Sequence, residues 1–387
     1  MSNFRPERIS GPEPGQLLYF TSSSLALGGR FLVSISEANG SPNLMVRGLP
    51  CGSARILSDN TKGFLRSYVY FNGQSGRGFG KASASLHADS GCIYYLQDWE
   101  IRCVDLDGGL RVISELPRGQ ISAFTHVSSD GRWLCVPTVD EEAFGDLENP
   151  KSIPDRIRER NLSSWLRIYD TRSGELAACE RIPGAWVTHV QFSPADPHRL
   201  LYNHEYSRTA GEDRMWLWDG REHRRLRPPG TGRRPGDWVC HEMWERDGSA
   251  VIYHGRFEDG PCFLGRVGLA GGAPRELALD GSWNGYGHFT VGAPGRLVSD
   301  GYYRGPDDPP GTSRGRWISL VHADWLKGTL SWHPLCEHHS SWQTQDVHPH
   351  PIFDPEGRNV YFNSDCEGTP AVYRVHCGDE GSTGAAT

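Results

Sequence analysis

The chain has 387 residues, among them 47 glycines, 26 prolines and 13 tryptophans, and carries a formal net charge of -7. The acidic balance gives no support for general nucleic-acid binding, and neither an apolar leader in Met1–Arg8 nor a run of about eighteen apolar residues points to export or to a membrane. A soluble cytoplasmic protein with no nucleic-acid or membrane partner is therefore expected, and its oligomeric state is left open.

A turn signal followed by an apolar strand recurs along the chain. The copies are Gly28-Gly29-Arg30-Phe31, Ser90-Gly91-Cys92-Ile93, Asp130-Gly131-Arg132-Trp133, Asp196-Pro197-His198-Arg199, Asp247-Gly248-Ser249-Ala250, Pro294-Gly295-Arg296-Leu297 and Glu356-Gly357-Arg358-Asn359. Several are followed by a second hairpin, as at Asp105-Leu106-Asp107-Gly108-Gly109, Asp170-Thr171-Arg172-Ser173-Gly174 and Asp219-Gly220. Seven units of about four short strands predict an all-β, seven-bladed β-propeller, with four-stranded antiparallel blades around a central channel. One such domain accounts for residues 1–377, and the tail 378–387 is expected to be disordered.

Three stretches interrupt the repeat or stand out from it. Between Asp140 and Asn161 a short charged helix around Ile153–Arg160 is expected to be a solvated surface loop, in preference to a lid over the axial mouth. The segment Asp307–Ser313 reads as a loop, and Arg221–Arg225 as a solvated hairpin edge. The ten cysteines are scattered singly, with Cys92, Cys103 and Cys135 inside strand patterns, so buried free thiols are expected rather than disulfides.

Histidines recur five to seven residues before the hairpin turn, at His126, His189, His241, His288 and His350. That register starts the innermost strand of a blade, so the side chains should converge near one opening of the channel. Any one of them is more often structural, tying blades together through backbone hydrogen bonds. Together with Gln345 and His348 they suggest a site. In Gln345-Asp346-Val347-His348-Pro349-His350, alternation brings His348 and His350 to one side, and His288 opens the preceding inner strand. Three imidazoles and an amide form a neutral ligand set for a divalent cation. Zn²⁺, Mn²⁺, Fe²⁺ and Ni²⁺ all fit such a set.

The strings Thr188-His189-Val190-Gln191-Phe192-Ser193-Pro194, Asn203-His204-Glu205, Arg214-Met215-Trp216, His241-Glu242-Met243-Trp244 and His348-Pro349-His350-Pro351 resemble the oligogalacturonate lyases in order and spacing, as does Leu18-Tyr19-Phe20-Thr21. The resemblance implies β-elimination on a short acidic oligosaccharide with Mn²⁺ as cofactor. It implies His288, Gln345, His348 and His350 as ligands, His241 as the base and Arg214 as a carboxylate-binding partner, with His189, His204 and Glu205 among the substrate contacts. Arg214 could instead pair with Glu205, Glu212 or Asp213.

The family's histidine-rich run before Leu-Tyr-Phe-Thr is replaced here by Glu13-Pro14-Gly15-Gln16-Leu17, and Arg66, Lys81 and His87 do not align with it. A lyase for a different uronate-containing glycan is therefore one alternative. A non-catalytic sugar-binding or protein-interaction propeller is another, since fold alone does not establish activity. A propeller peptidase ranks last, because there is no Gly-x-Ser-x-Gly elbow.

Overall fold

The computed structural model describes residues 4–37, 40–62, 83–144, 152–206, 213–228, 234, 236–270, 272–279, 287–301 and 315–378. Arg66, Lys81, Glu212, the 307–313 loop and the tail beyond 378 lie outside the described residues. The strands form seven separate antiparallel sheets, each four strands deep from the inside out, as the turn repeat predicts. In the first and third sheets the innermost strand is broken into two short pieces.

Every predicted turn signal falls between the innermost strand of a blade and its neighbour, where a reversal of a few residues requires glycine or aspartate. Gly295, for example, has a φ of +74°, and a Cβ there would lie 2.5 Å from the carbonyl oxygen of Ala323. The blades then pack face to face. A separate apolar cluster fills each seam, such as Val33, Leu44, Ile93 and Tyr95 between the first two blades and Val298, Ile318, Val360 and Phe362 between the last two. Burying a side chain of this size contributes about 1.5–3 kcal/mol.

The ring closes by a device that the repeat did not reveal. Glu7–Arg8 is the outermost strand of the last blade, pairing with Ala371–His376, while Gly15–Leu17 starts the first blade. Arg8 pairs with Glu367, and Arg374 with Glu7 at 2.6 Å, so the two ends of the chain are held in one sheet.

The stretch after Asp140 differs from the expected solvated loop. Its described part comprises a 3-10 turn, Glu141–Phe144, and a helix, Ile153–Glu159. Ala143, Phe144, Ile153 and Ile157 are buried in one cluster with Tyr19, Phe20, Ile121, Phe124 and Trp186. The charged residues occupy the outer side, and the i, i+4 pair Ile153 and Ile157 anchors the inner one. All ten cysteines are free thiols; Cys103, Cys135, Cys240, Cys262, Cys336 and Cys377 are buried, whereas Cys51, Cys179 and Cys366 are exposed. Among the described residues, no helix is long and apolar enough to cross a membrane.

Candidate active site

Four of the five register histidines meet, and one does not. His126 lies in the inner strand of the third blade, where its Nδ1 accepts a hydrogen bond from the backbone N–H of Phe192 in the fourth, at 3.1 Å. It fills the structural role open to any of these histidines. In the fourth to seventh blades His189, His241, His288 and His350 form a continuous arc. Ring centroids are 6.3 Å apart for His189 and His241, 4.5 Å for His241 and His288, and 4.1 Å for His288 and His350.

Among the described residues two groups could hold a metal, Cys240, His241 and His254 and, at the end of the arc, His288, His348 and His350. Potential ligand atoms of His288, His348 and His350 all lie within 4.8 Å of one another. Gln345 opens the 3-10 turn Gln345–Val347 and accepts the backbone N–H of His348 at 3.3 Å, so the turn delivers His348 to the cluster. His350 adopts a left-handed φ of +44°, a conformation that costs a non-glycine residue about 1–3 kcal/mol. Trp342, which the sequence did not single out, packs on His348 at 4.7 Å and stacks on His288 at 6.1 Å.

His241 also sits at positive φ, +48°, at a bulge in the inner strand Trp238–Trp244. Its Nδ1 lies 2.6 Å from the carbonyl oxygen of Gly287 and 3.0 Å from Nε2 of His254. A carbonyl only accepts, so Nδ1 carries the proton and Nε2 keeps its lone pair. Burial, together with the neighbouring His288, His254, His189 and Arg214, holds the imidazole well below its ordinary pKa, in the neutral form. His254 is pushed down to about 3, chiefly by burial.

Arg214 lies behind this arc, almost wholly buried, in an ionic network. Its Nε donates to Glu242 at 2.8 Å, Nη1 to Glu205 at 3.3 Å, and Nη2 lies 3.3 Å from Nδ1 of His189. Of the three partners foreseen for a structural Arg214, Glu205 is present, while Asp213 pairs instead with Arg225 at 3.2 Å. Although burial would raise it, Arg214 and His189 bring the Glu242 carboxyl down to about 2, and Glu205 is lowered against its own burial mainly by Arg214. His189 also meets the Tyr19 hydroxyl at 3.2 Å, whereas the His204 ring stacks on Trp216 at 5.0 Å. His87 lies at its hairpin turn, against Ser90 and Ser129.

The Leu18-Tyr19-Phe20-Thr21 string has a clear physical place. The Phe20 ring lies 5.2–5.5 Å from His241, His288 and His350, and 6.1 Å from His189. Tyr19 contacts His350 at 5.2 Å, and Phe124 packs on both Tyr19 and His189. Phe20 also lines a cavity of about 260 Å³ in the channel, with Ser22, Met243, Thr290 and Phe353. These aromatic rings form an apolar floor under the histidines.

The donor set fits a divalent cation of borderline softness. Among the described residues, the carboxylates of Glu205 and Glu242 face the guanidinium of Arg214, and that of Asp300 faces the imidazole of His288.

Fold and site together define a β-propeller with a histidine-rich centre at its axis. No protein-family model matches the chain. It is 28% identical over 205 residues to the oligogalacturonide lyase of Pectobacterium atrosepticum, a match spanning 49% of each protein, about half the length of that relative. It is 26% identical over 310 residues to the oligogalacturonate lyase of Dickeya dadantii, covering 74% of this chain and 75% of that one. A solved oligogalacturonate lyase in complex with manganese shares the fold at TM-score 0.76 and 20% identity, over 97% of this chain and 96% of that one. An oligogalacturonate lyase from Vibrio parahaemolyticus does so at TM-score 0.77 and 20% identity, over 97% of each. With the fold shared, these relatives support assignment of the chain to the oligogalacturonate lyase family.

Proposed function

We propose that the protein is a carbon–oxygen lyase that cleaves short oligogalacturonides by β-elimination and depends on a divalent metal, Mn²⁺ in the family's manner. The observation that carries this reading is the grouping of His288, His348 and His350 within ligand distance of one another, directly beside a neutral His241. Gln345 completes the ligand set. A bound dication would neutralise the uronate carboxylate and so acidify the neighbouring C5–H bond.

The remaining work falls to the chain's own groups. His241 takes the C5 proton on Nε2, because the Gly287 carbonyl fixes the proton on Nδ1. The electron pair left at C5 forms the C4–C5 double bond as the C4–O bond breaks. The departing oxygen takes a proton from water, the His241 imidazolium returns its own to water, and the product carries an unsaturated uronate at its new non-reducing end. Phe20, Tyr19 and Phe124 keep water from the buried side of the base. Arg214 spends three of its N–H groups on Glu242, Glu205 and His189; among the described residues this leaves donors of its five for a carboxylate.

The test is to incubate the purified protein with defined oligogalacturonides and Mn²⁺, and to follow the ultraviolet absorbance of the new double bond. Activity on galacturonides supports the reading. Activity only on another uronate glycan would favour the altered substrate suggested by Glu13–Gln16, and no elimination on any uronate would leave a binding role.

Arg214→Lys is expected to keep the fold and metal content but to lower turnover by about 10-fold or more, because a lysine cannot bridge Glu205 and Glu242 and still reach a carboxylate. Steady-state kinetics on the best substrate decide it. Unchanged kinetics would leave Arg214 a strut for His189.

A further inference from the structure

The arc of histidines is backed by a second arc, one strand further out. In each of the fourth to seventh blades the second strand runs through three mainly apolar residues to a polar one: Leu200-Leu201-Tyr202-Asn203, Val251-Ile252-Tyr253-His254, Leu297-Val298-Ser299-Asp300 and Val360-Tyr361-Phe362-Asn363. Each of these polar side chains is buried behind the inner strand of its blade. Asn203 accepts the backbone N–H of His189 at 2.9 Å, His254 meets His241 at 3.0 Å, and Asn363 donates to the backbone carbonyl of His348 at 3.1 Å. Asp300 is the member of this set with a formal charge.

Asp300 is fully buried, and its carboxylate makes three contacts. Oδ1 accepts the backbone N–H of His288 at 2.5 Å. Oδ2 faces Nδ1 of the same imidazole at 3.1 Å and accepts the backbone N–H of His350 at 3.0 Å. One carboxylate therefore grips residues of two blades, and the second of them, His350, is held in a left-handed conformation. A carboxylate has no proton to give, so Nδ1 of His288 must carry one, and Nε2 is left as the lone-pair nitrogen.

We propose that Asp300 is the positioning residue of the metal centre: it sets the tautomer of His288, locks the backbone of His350 across the blade seam, and places a negative charge behind neutral ligands. The inference rests on the metal reading given above. It assigns no contact between Asp300 and the cation or the sugar. In metal sites, carboxylates that act through a ligand histidine in this way contribute about 10–100-fold in metal affinity.

Asp300→Asn tests it, because the variant is nearly isosteric. The amide can still accept one backbone N–H, but an NH₂ turned towards Nδ1 would force the His288 proton onto Nε2, or an oxygen there would abandon a backbone partner. Calorimetric titration of the metal-free proteins with Mn²⁺ is expected to show about 10–100-fold weaker binding than wild type. Equal affinity in a folded Asp300→Asn protein would overturn the proposal. Absence of Mn²⁺, Zn²⁺, Fe²⁺ or Ni²⁺ binding by the wild type would instead overturn the metal reading beneath it.

Should the variant fail to fold, ¹⁵N-histidine spectra of the metal-free wild type give an independent answer. His288, assigned by its absence in His288→Gln, is expected as the Nδ1–H tautomer. An Nε2–H signal would overturn the role assigned to Asp300.

Discussion

Replacing His241 with alanine is expected to lower turnover on an oligogalacturonide by about 10²–10⁴-fold, the usual contribution of a positioned base. Metal binding should be nearly unchanged, since His241 lies beside the cluster of His288, His348 and His350 and is not among the three. The backbone offers no competing explanation: φ at 241 is +48°, and alanine carries a Cβ just as histidine does, so the strain is common to both proteins. What is lost is a neutral imidazole whose Nδ1 proton is committed to Gly287. Turnover and Mn²⁺ titration on the same preparation check the outcome. Near-normal turnover would remove His241 from the role of base, whatever happens to the metal.

Replacing His350 with alanine should remove both properties together. Its ring is fully buried, 4.1 Å from His288 at the seam between the last two blades. Mn²⁺ affinity is expected to fall by more than the about 100-fold upper range for an indirect partner such as Asp300, and elimination to fall with it. Thermal unfolding supplies a second readout. A ligand at a hundred times its Kd stabilises the folded state by about 2.7 kcal/mol, so Mn²⁺ should raise the Tm of the wild type and leave that of the variant in place. A variant that retained the metal-dependent rise would exclude His350 as a ligand.

The parts of this architecture that were legible in the sequence are those set by local chemistry. A hairpin of two to four residues needs glycine, aspartate or asparagine whatever surrounds it, so Gly91, Gly131, Gly248, Gly295 and Gly357 mark their blades directly. The histidine register could be read for the same reason. The difference between His126 and His288 could not, because it depends on whether a ring turns into the seam or towards the axis, and both begin an inner strand. Glu7–Arg8 is too short to carry a periodicity, and its partner lies at the other end of the chain.

Two further signals lie in the sequence. Ile153 and Ile157, spaced one helical turn apart, mark a buried face that the surrounding charges mask. A polar residue follows the apolar run of the second strand in the fourth to seventh blades, from Asn203 to Asn363. It was hidden because Asn, His and Asp look unrelated until the geometry shows them doing the same job behind successive histidines. The role of Glu242 is not legible beside His241, since its pairing with Arg214 crosses from one blade to the next.

The aromatic floor built by Tyr19, Phe20 and Phe124 bears on how a sugar chain travels. Phe20 stands between the histidines, which its ring contacts, and the cavity that it lines in the channel, so an oligogalacturonide of the kind proposed would meet an aromatic ring at that point and not an open bore.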